Sequence, residues 1–237
     1  MKKLIIAAAF AAIATGATAD TVRMGTEGAY PPYNFINDDG ELDGLERELG
    51  DRLCEIAGLD CVWVINDWDS IIPNLVSGNY DTIIAGMSIT EERDEVIDFT
   101  QEYIPSDPSA YVALAGADGP GDVIATQSST IQASYVASSG NTVVEFATPD
   151  DTIAAVRSGE VDSVLADRAF LADIVADSNG ELVFVGDKVS IGGGVGIGVR
   201  ESDGELKAAL NAAIDVMKAD GSLNEMVKRW LDIDANY

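Results

Sequence analysis

Ser88, Thr90 and Arg93 have the residue types and spacing of an anion-binding site. Thr90 is suited to cap a short helix, which places Arg93 in its first turn. A cation at a helix N-terminus is unfavourable by itself, but guanidinium, hydroxyl and free N–H groups together bind an anion. Arginine binds a carboxylate through two parallel hydrogen bonds. The alternative is a surface arginine paired with Glu92 or Asp94.

Asp167 could bind a ligand ammonium group. It directly follows the apolar segment Val164–Ala166 and precedes a predicted helix. In open α/β sheets, ligands bind beyond the carboxyl ends of the strands. Aspartate is also a favoured helix N-cap and could pair with its neighbour Arg168, so a structural role stays open.

The elements that would position these groups alternate between strand and helix. The first half predicts strands at 22–25, 61–65 and 81–85, and helices at 42–57 and 68–76. A second set follows Pro105 and Pro108, with strands at 111–115, 123–126, 143–146, 161–166 and 182–185, and helices at 131–138, 152–158 and 168–176. A glycine-rich strand over 192–199 and helices from Leu206 to Leu231 end the chain. This alternation predicts an α/β fold with mostly parallel sheets.

Composition excludes several functional classes. The 237 residues carry 14 Lys and Arg against 41 Asp and Glu, a net charge of −27. Such a surface repels nucleic acid and anionic membranes. There is no histidine, so histidine-based acid–base catalysis and most zinc or transition-metal sites are excluded. We expect no metal and no cofactor.

The N-terminus predicts export. Lys2 and Lys3 precede an apolar run over residues 4–14, and Ala17–Ala19 has the small-x-small pattern of a cleavage site. We therefore predict a signal peptide at residues 1–19 and a periplasmic protein. Oxidising export favours a disulfide between Cys54 and Cys61, although two buried thiols remain the alternative.

Five motifs occur in an order that resembles the amino-acid-type periplasmic solute-binding proteins of ABC importers. The resemblance extends over nearly all of residues 20–237 and is nearest to the lysine, arginine, ornithine, histidine and opine subgroup. Its motifs are Gly25–Tyr33 (GTEGAYPPY), Leu42–Gly44 (LDG), Trp68–Pro73 (WDSIIP), Gly78–Asp81 (GNYD) and Gly86–Arg93 (GMSITEER).

The resemblance implies the type II periplasmic-binding-protein fold, with two α/β lobes joined by two crossing segments. Lobe one would comprise residues 20–108 and 192–237, and lobe two residues 109–191. The lobes would close over a ligand in the cleft by hinge motion. The implied partners are an amino acid and the membrane permease of an ABC importer, and we expect a monomer.

This chain departs from the family pattern at the start of a lobe-one helix. It has Gly44, Leu45 and Glu46 where the family often has Gly-Phe-Asp, and Glu48 where aspartate is usual. We expect this segment to leave the pocket unaltered.

The resemblance also assigns roles in the pocket. Asp167 corresponds to the residue that accepts hydrogen bonds from the ligand α-ammonium group. Ser129 and Thr130 correspond to polar ligand contacts from lobe two. Gly86, like Ser88, is a candidate ligand contact. Tyr30 and Trp68 are candidates for an aromatic sandwich around the ligand side chain, with core packing as the alternative.

Glu27 bears on the class of ligand. Together with Asp167 and Arg93 it gives the proposed cleft two negative charges and one positive charge. A zwitterion would leave that net charge unmatched, whereas a ligand with a side-chain cation would neutralise it, and unpaired buried charge is costly. This favours arginine, lysine, ornithine or an opine, although acidic residues at this position also occur in binders of neutral amino acids.

Three functional classes follow from these residues. The favoured class is a binding receptor that delivers an amino acid to a permease, and not an enzyme. The alternative is an enzyme on the same fold, such as an arogenate or prephenate dehydratase, with Glu27 or Asp167 as general acid. The third is the ligand-sensing domain of a larger receptor.

Overall fold

A computed structural model describes residues 21–237 of the chain. The predicted signal peptide lies outside the described residues. Within the described part, none of the helices has both the length and the apolar character needed to cross a membrane.

Thirteen strands are formed by residues 21–237. In chain order they are β1 (Val22–Thr26), β2 (Ala29–Tyr30), β3 (Asn34–Ile36), β4 (Leu42–Asp43), β5 (Cys61–Ile65), β6 (Thr82–Ile83), β7 (Asp98–Ile104), β8 (Ser109–Leu114), β9 (Val123–Gln127), β10 (Thr142–Phe146), β11 (Ser163–Asp167), β12 (Leu182–Val189) and β13 (Val195–Val199).

Eight α-helices pack on these strands within the same residues. They are α1 (Leu45–Ala57), α2 (Ile71–Val76), α3 (Glu91–Asp94), α4 (Ile131–Ser139), α5 (Pro149–Ser158), α6 (Arg168–Asp177), α7 (Gly204–Ala219) and α8 (Ser222–Leu231). A 3-10 turn, Trp68–Ser70, precedes α2.

The strands form two five-stranded sheets and one small hairpin sheet. The first sheet has the order β5-β1-β6-β13-β7 and the second the order β10-β9-β11-β8-β12, while β2, β3 and β4 form the third. In the first sheet β13 pairs antiparallel with both neighbours, so the other four strands share one direction. In the second sheet it is β8 that pairs antiparallel with both neighbours, β11 and β12, so the other four strands again share one direction. The predicted mostly parallel α/β architecture is confirmed.

The chain passes between the two large sheets twice. It leaves the first sheet after β7 to enter β8, and it returns from β12 to β13. The first sheet packs against α1, α7 and α8 around Leu49, Leu53 and Ile214, which are fully buried. The second sheet is covered by α5 and α6 around Val156 and Phe170.

Several element boundaries differ from the sequence prediction. Helix α1 begins at Leu45 and not Leu42, because Leu42 and Asp43 pair with β3. Gly44 separates the two elements with φ +115°, and a Cβ there would lie 2.5 Å from the Tyr33 carbonyl oxygen. The predicted helix at 68–76 begins as a 3-10 turn, and the predicted strand at 81–85 shortens to β6.

The glycine-rich strand predicted over 192–199 forms as β13, but it begins at Val195, and Gly192–Gly194 precede it. Its glycines allow close packing, as expected: a Cβ on Gly196 would lie 2.9 Å from the Ile89 side chain. Strand β7, its neighbour, was not predicted at all. Its buried positions do not alternate along the strand, so the two-residue period that identifies a strand is missing.

Cys54 and Cys61 form a disulfide between α1 and β5, so the predicted bond is confirmed. It closes a short loop across the left-handed turn at Gly58, where α1 ends. A crosslink stabilises a fold mainly by restricting the unfolded chain, and the effect grows with loop length.

Replacing both cysteines with serine is therefore expected to cost about 2 kcal/mol of unfolding free energy, which is small for a disulfide because the loop is short. Urea denaturation of the oxidised protein and of the Cys54→Ser/Cys61→Ser variant measures this difference. Equal unfolding free energies would contradict it, and so would rapid thiol labelling of the native, unreduced protein.

Candidate ligand-binding site

A cavity lies between the two large sheets, at the carboxyl ends of their strands. Glu27 follows β1, Gly86 and Ser88 follow β6, and Gln127 and Asp167 end β9 and β11. The cavity is lined by Glu27, Tyr30, Trp68, Ala85, Gly86, Ser88, Arg93, Gln127, Thr130, Ile131, Gln132 and Asp167.

Most residues of the predicted site come together in this cavity. The eight that line it are Glu27, Tyr30, Trp68, Gly86, Ser88, Arg93, Thr130 and Asp167. The other two, Thr90 and Ser129, line an adjoining open pocket that shares Arg93, Thr130 and Ile131 with the cavity. Thr90 and Thr130 also cap helices: their hydroxyls accept hydrogen bonds from Arg93 N at 3.2 Å and Ala133 N at 3.1 Å.

The Arg93 guanidinium is held in place but keeps most of its donors available. Its Nη1 donates to the Ser88 carbonyl at 2.9 Å, and its Cζ lies 5.4 Å from the Trp68 ring centroid. Among residues 21–237 it forms no salt bridge, so the alternative of a surface pair with Glu92 or Asp94 is not realised. Burial lowers the pKa of Arg93 to about 10. The group is thus a desolvated cation suited to a carboxylate.

Asp167 is turned into the cavity and does not cap α6, because its side chain makes no capping hydrogen bond. Its carboxylate accepts from Tyr30 OH at 2.8 Å and from Gln132 Nε2 at 3.0 Å. Arg168 lies over the Phe184 ring at 5.7 Å and takes no part. Burial raises the pKa of Asp167 to about 6, although the Tyr30 hydrogen bond acts in the opposite direction.

Glu27 reaches across the cavity to the second sheet. Gln127 Nε2 donates to Glu27 Oε1 at 2.6 Å. Arg23, the nearest arginine along the chain, does not pair with Glu27 but binds Asp81 through Nε and Nη2. Burial raises the pKa of Glu27 to about 7, because this hydrogen bond offsets only part of the desolvation.

Tyr30 and Trp68 both line the cavity and both have structural contacts. The Tyr30 ring stacks on Phe170 with centroids 4.4 Å apart. The Trp68 indole is buried, and its Nε1 donates to the carbonyl of Ser129, just after β9, at 3.3 Å. Ser129 has φ +57°, which is strained for a residue other than glycine. Each aromatic residue therefore contacts the side of the cavity that the second large sheet and its helices form.

The Glu46 carboxylate lies behind the cavity wall and hydrogen-bonds its backbone, although Glu46 itself does not line the cavity. This carboxylate is fully buried and accepts from Gly86 N at 2.6 Å, from Asn34 Nδ2 at 2.7 Å and from the Tyr103 hydroxyl. Asn34 Oδ1 in turn accepts from Gly28 N at 2.7 Å. One buried acid thus fixes the backbone beside Glu27 and at Gly86.

Four lining residues were not predicted: Ala85, Gln127, Ile131 and Gln132. Gln127 ends β9, which pairs with the strand of Asp167, β11. Because ligands bind at the carboxyl ends of such strands, Gln127 could have been predicted from the sequence. The other three have no comparable signal in the sequence.

Comparison with known proteins assigns the chain to a family. Residues 22–233 match bacterial extracellular solute-binding proteins, family 3. The chain belongs to this family.

Relatives in the family share the whole length of the chain. The L-arginine-binding protein of Pseudomonas aeruginosa is 32% identical, over 99% of this chain and 98% of that protein. The lysine/arginine/ornithine-binding periplasmic protein of Escherichia coli K12 is 28% identical, over 98% of this chain and 95% of that protein.

Solved structures of the family share the fold. A periplasmic His/Glu/Gln/Arg/opine family-binding protein from Silicibacter pomeroyi, in complex with lysine, is 69% identical with a TM-score of 0.88. The match covers 90% of this chain and 98% of that one.

The hydrogen bonds to Glu46 predict that its replacement by glutamine, which has the same size, lowers the unfolding free energy. In Glu46→Gln the new amide N–H₂ must face one of three donors, and turning Asn34 to accept it would leave Gly28 N without its partner. We expect the unfolding free energy to fall by about 2 kcal/mol, the cost of a buried unsatisfied group.

Urea denaturation tests this, with Glu48→Gln as the control. Glu48 lies two residues away and accepts from Arg229 and Trp230 at the surface, so its replacement should cost less than about 1 kcal/mol. Adding Asn34→Asp to Glu46→Gln should restore part of the loss, because the new carboxylate can accept from both Gly28 N and the glutamine amide. Equal stability of Glu46→Gln and the wild type would show that the network does not hold the wall.

Proposed function

We propose that this chain is a periplasmic receptor that binds a basic amino acid, with lysine the first candidate, and delivers it to the permease of an ABC importer. The observation that carries the proposal is the set of charged groups in one cavity. Glu27, Asp167 and Arg93 all line it, each with different hydrogen-bond partners.

These charges favour a ligand with two cations and one anion. The α-carboxylate of an amino acid would bind Arg93, and its α-ammonium group would bind Asp167. Glu27 then stays unmatched unless the ligand carries a further cation, and unmatched buried charge is costly. The raised pKa of Glu27 has the same physical origin, since the carboxylate is desolvated with no cation beside it.

The relatives support the same ligand class. Two of them are named for binding arginine, or lysine, arginine and ornithine, and the structure from Silicibacter pomeroyi, at 69% identity, is a complex with lysine. These are binding proteins and not enzymes, so a dehydratase is the less supported alternative.

Transport would follow from closure of two lobes. Residues 20–108 with 192–237 would form one lobe and residues 109–191 the other, joined where the chain passes twice between the sheets. Hydrogen bonds between the sheets, including Ser128 Oγ to Asp69 Oδ1 at 2.7 Å, support a closed arrangement. The predicted signal peptide and the disulfide are in keeping with a periplasmic location. We propose a monomer, with one ligand site per chain.

Calorimetry against lysine, arginine, ornithine, citrulline and norleucine tests this function. We expect the basic ligands to bind most tightly. In Glu27→Gln the preference for lysine over norleucine should fall about tenfold or more, because a charge-assisted hydrogen bond is replaced by a neutral one.

Glu160→Gln is the matched control, since Glu160 is exposed and lies outside the cavity. It should leave the preference unchanged. Wild-type protein that binds norleucine as tightly as lysine would contradict the proposal, as would a Glu27→Gln variant with the wild-type preference.

Lysine binding is expected to depend on pH. Burial raises the pKa of Glu27 to about 7 and that of Asp167 to about 6. Both must be ionised to hold ammonium groups, so binding releases protons below these pKa values. Affinity should therefore rise from pH 5 to pH 8, by up to roughly tenfold per pH unit for each proton released.

Isothermal titration in buffers of different ionisation enthalpy measures the protons released. In Glu27→Gln the dependence near pH 7 should disappear and that near pH 6 should remain. A wild-type affinity that is constant from pH 5 to pH 8 would contradict the assignment of the two acids.

A further inference from the structure

We propose that Gln127 determines specificity, with its side-chain oxygen accepting a hydrogen bond from the cation at the end of the ligand side chain. The proposal rests on the function proposed above and adds a second residue to the recognition of that cation. Glu27 would supply the charge from the first sheet, and Gln127 a neutral acceptor from the second.

The orientation of the Gln127 amide is fixed by two acceptors. Its Nε2 donates to Glu27 Oε1 at 2.6 Å and to the Ala147 carbonyl, just beyond β10, at 3.2 Å. An amide nitrogen has two hydrogens, and these two bonds use both. Exchanging the amide nitrogen and oxygen would set an oxygen against a carboxylate and a carbonyl. The nitrogen therefore faces these groups, and the oxygen is left as an acceptor.

Within residues 21–237 that oxygen has no hydrogen-bond donor. It belongs to a residue that lines the cavity and is bonded directly to Glu27. A ligand ammonium group has three donors, so it can bind the Glu27 carboxylate and the Gln127 oxygen together. An apolar ligand end would cover this oxygen without bonding it, which costs the desolvation of a polar group.

Gln127 also connects recognition to closure. Because it ends β9 and is anchored at Ala147, its position belongs to the second sheet, whereas Glu27 belongs to the first. The cation would thus contact one acceptor on each sheet. Ser128, the next residue, also bonds across the sheets, to Asp69, but it does not line the cavity. Ser128→Ala is therefore a control that weakens closure without altering the site.

The test compares L-lysine with L-norleucine, which has the same chain without the ammonium group. In Gln127→Leu we expect lysine affinity to fall about tenfold while norleucine affinity falls less or rises, so that the preference for lysine decreases. Ser128→Ala should change both affinities by the same factor. Thermal unfolding verifies that each variant is folded.

Gln127→Glu provides a second variant of the same size. Its carboxylate would lie against Glu27, and such a pair takes up a proton near neutral pH. At pH 9, where protonation relieves less of the repulsion than a cation does, the preference for lysine should increase above that of the wild type. Opposite changes in the leucine and glutamate variants would support the proposal. Equal loss of both ligands in Gln127→Leu, or an unchanged preference in both variants, would overturn it.

These outcomes separate the proposal from the function on which it rests. If Glu27→Gln loses the preference for lysine but the Gln127 variants keep it, the receptor function stands and Gln127 is no part of the recognition. If wild-type protein shows no preference for lysine, the proposed function itself fails.

Discussion

Desolvation of three charged groups in one cavity is the constraint on which this structure depends. Burial in the cavity removes Glu27, Arg93 and Asp167 from water, and it shifts the pKa of each in the direction that favours the neutral form. Protein hydrogen bonds compensate only part of this cost. A ligand with the opposite charges compensates the remaining desolvation cost. In the proposed function, this desolvation cost therefore determines affinity, specificity and pH dependence together.

The fold meets this constraint by building each charged group onto a rigid element. Asp167 ends a strand, Glu27 follows one, and Arg93 is held by the carbonyl of Ser88. Glu46 extends this support below the surface, where one buried carboxylate joins Gly86, on the cavity wall, to Tyr103 on β7. The cavity wall and the last part of β7, after which the chain passes to the second sheet, therefore share one anchor.

The sequence predicted the parts of the site whose position follows from chain direction. Asp167 was predicted from its place at the carboxyl end of an apolar strand, where ligands bind in open α/β sheets, whereas Glu27 was assigned to the cleft from the family resemblance. The burial of Glu46 was not predicted, because a glutamate in the first turn of an amphipathic helix is normally solvated. Gln132 was missed, since its role depends on reaching the carboxylate of another element. Strand β7 was missed because its buried positions do not alternate along the strand, so the two-residue period that identifies a strand is absent.

The most direct test of the account is a crystal structure of the protein bound to L-lysine at pH 8. The account predicts the α-carboxylate on Arg93, the α-ammonium group on Asp167, and the side-chain ammonium group within hydrogen-bond distance of Glu27. A lysine whose side-chain ammonium group points away from Glu27 into solvent would contradict it. So would a structure in which the carboxylate binds elsewhere and Arg93 keeps only its contact with Ser88.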